Sequence, residues 1–150
     1  MIQRIQTIFL LLVVGLLIAF NFIPYWQSEA ADITLWSYGY EITQGENIVL
    51  EFGLYTAVAI LSGVGVIIAI IEIFMFKNRV LQMMMSVINS FVLMMTIGLM
   101  AFFIFEIQQV TIGKFEPGAF LLTMAMVMNI FARRFIQKDE NLVRSVDRIR

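Results

Sequence analysis

Neither cysteine nor histidine occurs among the 150 residues of this chain. Without cysteine there is no disulfide framework and no thiolate chemistry, whatever redox compartment the loops face. Without histidine the commonest general base and the commonest transition-metal ligand are both missing. Charge is scarce too: 14% of the residues are charged and 61% are hydrophobic, with only two prolines to break the apolar runs. A soluble domain needs far more polar surface than that, so an apolar face must meet lipid. No Pro/Gly/Ser linker or internal repeat divides the sequence, and a single domain over residues 1–150 is expected.

A hydrocarbon core of about 30 Å takes about 20 helical residues, which sets the length of run to look for. Four such runs are present, at residues 5–23, 50–76, 80–105 and 118–134. The first stops at Pro24, and Tyr25 and Trp26 follow where an interfacial aromatic belt would stand. Arg4 and the small residues around Ser28-Glu29-Ala30 also fit a secretory signal, but the apolar stretch is longer than a usual signal core and is expected to stay as a first helix. Lys77-Asn78-Arg79 is too short a link for anything but an antiparallel helical hairpin, and Arg133 with Arg134 closes the fourth span.

Assigning the connections alternately to two sides collects Arg4, Lys77, Arg79, Arg133, Arg134, Lys138, Arg144, Arg148 and Arg150 on one side. Only Lys114 falls on the other. By the positive-inside rule the first side is cytoplasmic, which puts both termini there. The expected fold is an all-α membrane protein: a four-transmembrane-helix bundle with a small β-hairpin in the first outer loop, residues 27–49, and a cytoplasmic tail, residues 135–150. In that tail Leu142, Val146 and Ile149 recur at helical spacing and Glu140 can pair with Arg144, so a short amphipathic helix lying on anionic lipid is expected, with a cytoplasmic partner as the alternative.

The hairpin reading rests on Ile33–Tyr38 and Tyr40–Thr43, β-branched and aromatic runs on either side of Gly39. Alternation assigns Trp36, Tyr38 and Tyr40 to one face, with more aromatic surface than two strands can bury. The cover is either the second outer loop, Gln108–Glu116, where Val110, Ile112 and Phe115 offer an edge able to add a strand, or another subunit. In the second case Trp36, Tyr38 and Tyr40 are the candidate partner-binding residues and Trp36 the anchor.

Three polar residues stand out inside the spans. Glu72 lies about a turn from the end of the second, where an ionised carboxylate is costly without a partner. Arg79, Lys77, Arg133 and Arg134 are the candidate cations for an interfacial salt bridge, and a proton or cation site is the functional alternative. Asn89 and Asn129 lie deeper, with Gln82 and Thr96 on the third helix and Ser62 on the second. They fit interhelical hydrogen bonds or, more sharply, a polar pore lining. Of eleven methionines, nine gather in the third and fourth spans, as at Met83-Met84-Met85 and Met124, Met126 and Met128. Thioethers suit Cu(I), but no Cys or His completes such a site, and methionine also fills irregular apolar gaps. Gly53 and Ala57, Ala59 and Gly63, and Gly65 and Ala69 put small residues four apart on the second helix, which lets helix backbones approach closely.

The opening Met-Ile-Gln-Arg-Ile-Gln-Thr-Ile-Phe-Leu-Leu-Leu, the turn Phe76-Lys77-Asn78-Arg79 with Leu81-Gln82 after it, and the tail Lys138-Asp139-Glu140-Asn141-Leu142-Val143-Arg144-Ser145-Val146-Asp147-Arg148 resemble a Bacteroidetes-type family of small four-span inner-membrane proteins, catalogued as a domain of unknown function. The resemblance implies a bacterial inner membrane and four helices, and it carries over no catalytic residue. The plan of four helices, both ends inside and a β-rich first outer loop carrying a Trp also looks like the claudin type, without that loop's cysteine pair. Such a likeness concerns architecture alone.

The function expected is that of a small accessory or scaffolding integral membrane protein, a subunit of a larger inner-membrane complex, with lipid and a membrane protein as partners and no nucleic acid. The alternative is a small transporter or channel using Glu72 and the intramembrane Asn residues. Glu51, Glu106 and Glu116 have no His, Cys or metal cluster to act with, so no enzyme, cofactor, catalytic residue or metal site is expected.

Overall fold

The structure is a computed structural model that describes Gln3 to Asp147 except Glu29, Ala31, Gly45, Glu46 and Lys77. At Gln3, Arg4, Gln44, Asn47, Ile48 and residues 143–147 it describes the backbone alone. Expectations placed on Glu29, Lys77, Arg148, Ile149 and Arg150, and on the side chains of Arg4, Arg144 and Val146, lie outside the described residues.

Four helices carry most of the chain: α1 (Gln3–Phe20), α2 (Thr56–Phe74), α3 (Arg79–Gln108) and α4 (Pro117–Asp147). Each packs against two others in the cyclic order α1-α2-α3-α4. Three are long and apolar enough to cross a membrane, and α1 adds a shorter apolar stretch, Ile5–Phe20. The apolar residues of the helices divide into two sets, one inward and one outward. Leu10, Val13, Leu17, Leu93, Leu122 and Ala125 are fully buried, whereas Ile8, Ile60, Phe91, Met95 and Phe120 face outward. The methionines divide in the same way: Met84, Met94, Met95 and Met124 are exposed and Met100 is buried, so the thioethers do not converge.

Local chemistry fixes the helix ends. Asn78 caps α3 by accepting from the Leu81 N–H at 3.2 Å, and so satisfies one of the donors that a first turn leaves free. Pro117 opens α4 at the position where its missing N–H costs nothing. At its far end α4 continues through the expected boundary near residue 134, so the expected span and the expected tail helix are one element.

The segment expected to be outer is larger than a hairpin. Strands β1 (Trp26–Ser28), β2 (Ile33–Trp36), β3 (Gly39–Gln44), β4 (Asn47–Glu51) and β5 (Lys114–Phe115) form one antiparallel sheet in the order β4-β3-β2-β1-β5. The expected β2–β3 hairpin is its centre, with Leu35 opposite Tyr40 and Trp36 opposite Gly39. Asp32, at φ 49°, accepts from the Thr43 N–H at 3.0 Å beside the β1–β2 turn; Asp is among the residues that tolerate this region. The second expected span begins late, because Leu50 and Glu51 belong to β4 and the helix starts only at Thr56.

One face of the sheet closes the bundle. Trp26 and Leu35 are paired across β1 and β2 and fully buried. Tyr25 is buried beside Phe20, ring centroids 6.2 Å apart. Tyr25 and Trp26 are therefore core residues and not the interfacial belt their position after Pro24 suggested. The sheet bends the chain back over them, and Tyr25 exchanges main-chain bonds with Leu35 and Glu116.

Candidate functional site

The bundle has a sheet end and a terminal end, where α1 begins, α2 turns into α3 and α4 finishes. Its buried seam changes character between them. On α3 the buried stripe reads Gln82, Ser86, Asn89, Leu93, Thr96, Met100, Phe103, at alternating spacings of four and three that keep one face inward. The first three are polar. Beyond them the stripe is apolar apart from Thr96, whose hydroxyl returns to its own helix at Val92 O, 2.8 Å away.

The polar half is shared by all four helices. Glu72 from α2, Asn129 from α4 and Asn89 from α3 are fully buried, and Gln6 from α1 is nearly so. Asn129 joins α4 to α3: its Nδ2 donates to Ser86 O at 3.0 Å and to Ser90 Oγ at 2.9 Å. The Asn89 amide reaches Asn129 Oδ1 at 3.5 Å, the outer limit of such a bond. Gln82 Nε2 donates to Glu72 main-chain O at 3.1 Å. Gly65, two turns before Glu72, sits where α1 and α3 both come close: a Cβ there would stand 3.3 Å from the side chains of Leu17 and Leu93 and 3.4 Å from Asn89 Oδ1, a tight fit. Of the three expected small-residue pairs, Gly65 with the buried Ala69 serves packing, and Gly53 lies ahead of α2, which begins at Thr56. A Cβ at Gly53 or Gly63 would meet nothing.

The Glu72 carboxyl has no hydrogen-bond partner among the described residues, although the Ser86 hydroxyl faces it. The expected salt bridge to Arg79 is not made. Arg79 instead pairs with Asp139, Nη2 to Oδ2 at 3.0 Å, and its Nη1 donates to Asp139 O at 3.3 Å. Asp139 is available because α4 extends beyond its expected end. Arg133 and Arg134 are exposed on α4.

A cavity of about 590 Å³ opens at this end, lined by Gln6, Thr7, Ile8, Ile73, Phe74, Phe76 and Gln82. Gln82 thus touches the cavity on one side and the Glu72 main chain on the other. Nothing in the sequence reading singled out Gln6, Ser86 or Ser90. The available signal was the four-and-three spacing of Gln82, Ser86 and Asn89, which marks one buried face.

A second polar cluster, near the sheet end, is fully bonded. Asn21 donates to Leu17 O at 2.8 Å and to Ser62 Oγ at 3.0 Å, and accepts from Ser37 Oγ at 2.9 Å. Ser62 therefore bonds between elements, as expected of a polar group inside a span.

The structure separates the three aromatic candidates of the outer segment. Register puts Tyr40 on the inward face with Leu35, edge-on to Tyr55 at 5.1 Å, and Tyr55 in turn lies 4.4 Å from Phe103. Trp36 is on the opposite face, stacked on Tyr38 at 5.9 Å, with Nε1 donating to Glu41 at 3.1 Å. The three do not share one face, because Ser37 and Tyr38 form the turn and the alternation does not run through it. Strand β5 does come from the second outer loop, as its alternating edge suggested. Only Lys114 and Phe115 join it, while Val110 and Ile112 stay exposed. Among the described residues, no group of three or more carboxylates converges as a metal site.

The chain matches the family described as a domain of unknown function (DUF4293) over residues 2–149. It belongs to that family. The resemblance carried by the terminal motifs and the α2–α3 turn is thus borne out at the level of the family. No curated protein matches the chain. In this DUF4293 chain the buried seam holds unpaired polar groups, and the sheet carries the Trp36–Tyr38 stack.

Proposed function

We propose that the chain is a small accessory or scaffolding integral membrane protein of a bacterial inner membrane, with its terminal end in the cytoplasm. The observation that carries this reading is a set of bare apolar side chains outside the helices at the sheet end. Phe52, Leu54, Val110 and Ile112 are 69%, 82%, 84% and 87% exposed. They stand on connections rather than on lipid-facing helix surfaces, and exposed apolar groups in such places mark interaction sites. Trp36 adds an aromatic anchor on the face of the sheet that points away from the bundle. A photo-reactive residue at Leu54 or Ile112, activated in native membranes, should capture one membrane protein, and Trp36→Ala should release that partner while the helices stay folded. Capture of lipid alone would sink the reading.

The transporter reading keeps one specific observation in its favour, the unpaired Glu72 carboxyl inside the polar half-seam. Against a continuous conduit stands the other half, where Leu17, Phe20, Leu93, Phe103 and Leu122 are packed and buried. Vesicles containing the protein should therefore show no sustained ion current. A current abolished by Glu72→Gln would favour the transporter.

A further inference from the structure

At the terminal end the unpaired buried polar atoms are all oxygens. Both carboxyl oxygens of Glu72, the Ser86 Oγ that faces them and Asn89 Oδ1 lack a partner at full hydrogen-bond geometry among the described residues; Gln6 adds its Oε1 from α1, and Asp139 Oδ2 is held by Arg79. The amide donors nearby are committed: Gln82 to the Glu72 main chain, Asn129 to Ser86 and Ser90, Asn89 to Asn129. Among the described residues, the buried polar side chains of the seam on α1, α3 and α4 at this end are Gln6, Gln82, Ser86, Asn89 and Asn129, all uncharged. Among the described residues of that end the cations are occupied or turned away, Arg79 on Asp139 and Arg133, Arg134 and Lys138 exposed. What the seam lacks is a group that brings positive charge and needs oxygens around it.

We propose that Glu72, Ser86 and Asn89 form a binding site for a single monovalent cation, with sodium the probe of choice, reached from the terminal end through the cavity that Gln6 and Gln82 line. Hydroxyl, amide and carboxylate oxygens are the ligands a hard cation takes. One carboxylate balances one positive charge, whereas a divalent ion would leave net charge buried in the bundle. Binding is an exchange: the Glu72 carboxyl gives up its proton to water at the cavity mouth as the cation enters, one positive charge out for one in. The site lies in the polar half alone, so binding needs no path across the bundle. The inference rests on the membrane reading but not on the accessory role, and its failure would leave partner capture at Leu54 or Ile112 unaffected.

A hydrophobic carbodiimide reacts with a protonated carboxyl in an apolar setting, so its rate of attachment to Glu72 measures occupancy by the cation. The full chain in lipid nanodiscs is treated with the reagent, and labelled Glu72 is followed by mass spectrometry. Sodium chloride at ten times its dissociation constant should slow labelling roughly tenfold by mass action, while choline chloride at the same ionic strength should not. Ser86→Ala and Asn89→Ala should still be labelled at Glu72 but need more sodium for the same protection, and Glu72→Gln should take no label there. Labelling that ignores sodium, that choline slows equally, or that never reaches Glu72 would overturn the proposal. So would unchanged protection in both the Ser86 and the Asn89 variants.

Discussion

Tyr40 shows how much one side chain can tie the outer sheet to solution conditions. Its hydroxyl donates to the Glu51 carboxylate across β3 and β4. That bond, then burial, then the nearby negative charge, pushes the phenol up from 10.0 to about 12. The folded state favours the neutral phenol, so the stabilisation is complete below pH 10 and is lost as pH rises from 10 to about 12. Burial also raises Tyr25 and Tyr55, so absorbance of the phenolate should show late titration of several tyrosines. Glu51→Gln should bring one of them, Tyr40, back toward its ordinary midpoint. If the titration of Glu51→Gln matches that of the parent protein, the bond is not what holds the proton. The sequence was informative about Glu72 in a comparable way. A carboxylate one turn inside an apolar run announces itself, but its partner cannot be read from spacing. Arg79 is close in the chain, yet it goes to Asp139 because a helix expected to stop at residue 134 runs on and delivers a competing carboxylate.

At the scale of the element, α4 is set by what meets its first turn. A Cβ on Gly118 would stand 2.5 Å from Pro24 O and 2.6 Å from Ile23 O, and the Gly118 N–H donates to Pro24 O at 3.0 Å. Gly118→Ala should cost about 1–3 kcal/mol, the usual range for overpacking, read as a lower unfolding temperature in detergent. An unchanged transition would mean the connection yields freely. At the other end of the helix the Arg79–Asp139 pair, partly exposed at 21% and 14%, clamps α3 to α4. A double-mutant cycle should give a coupling of about 1 kcal/mol, near the upper range for such pairs. Coupling indistinguishable from zero would reduce the clamp to a geometric coincidence. Periodicity recovered the helices because apolar runs of that length have few other uses. It failed at β4, because Val49-Leu50 leads through Phe52 and Leu54 into α2 with Glu51 as the one charged residue between them, and at β1 and β5, which are too short to carry a period.

For the whole molecule, the absence of native cysteine makes sidedness directly measurable. Single cysteines at Lys114 and at Gln137 should react with an impermeant maleimide from opposite sides, Lys114 in intact cells and Gln137 only after they are opened. Reaction of both from the same side would remove the even-span topology. The order of the sheet then dictates the order in which the molecule can be completed. Strand β1 pairs on one side with β2, its neighbour in the chain, and on the other with β5, where Gln27 meets Lys114. A nascent chain that has made the first hairpins still carries β1 with a naked edge, and that edge stays open until α2 and α3 are in place and the segment after Gln108 has emerged. Closing so distant a pairing is slow compared with local contacts, and an open edge recruits other strands. Protease resistance of the sheet should therefore arise in a late, separate step of biogenesis, and a chain truncated before Lys114 should be the form that self-associates through β1.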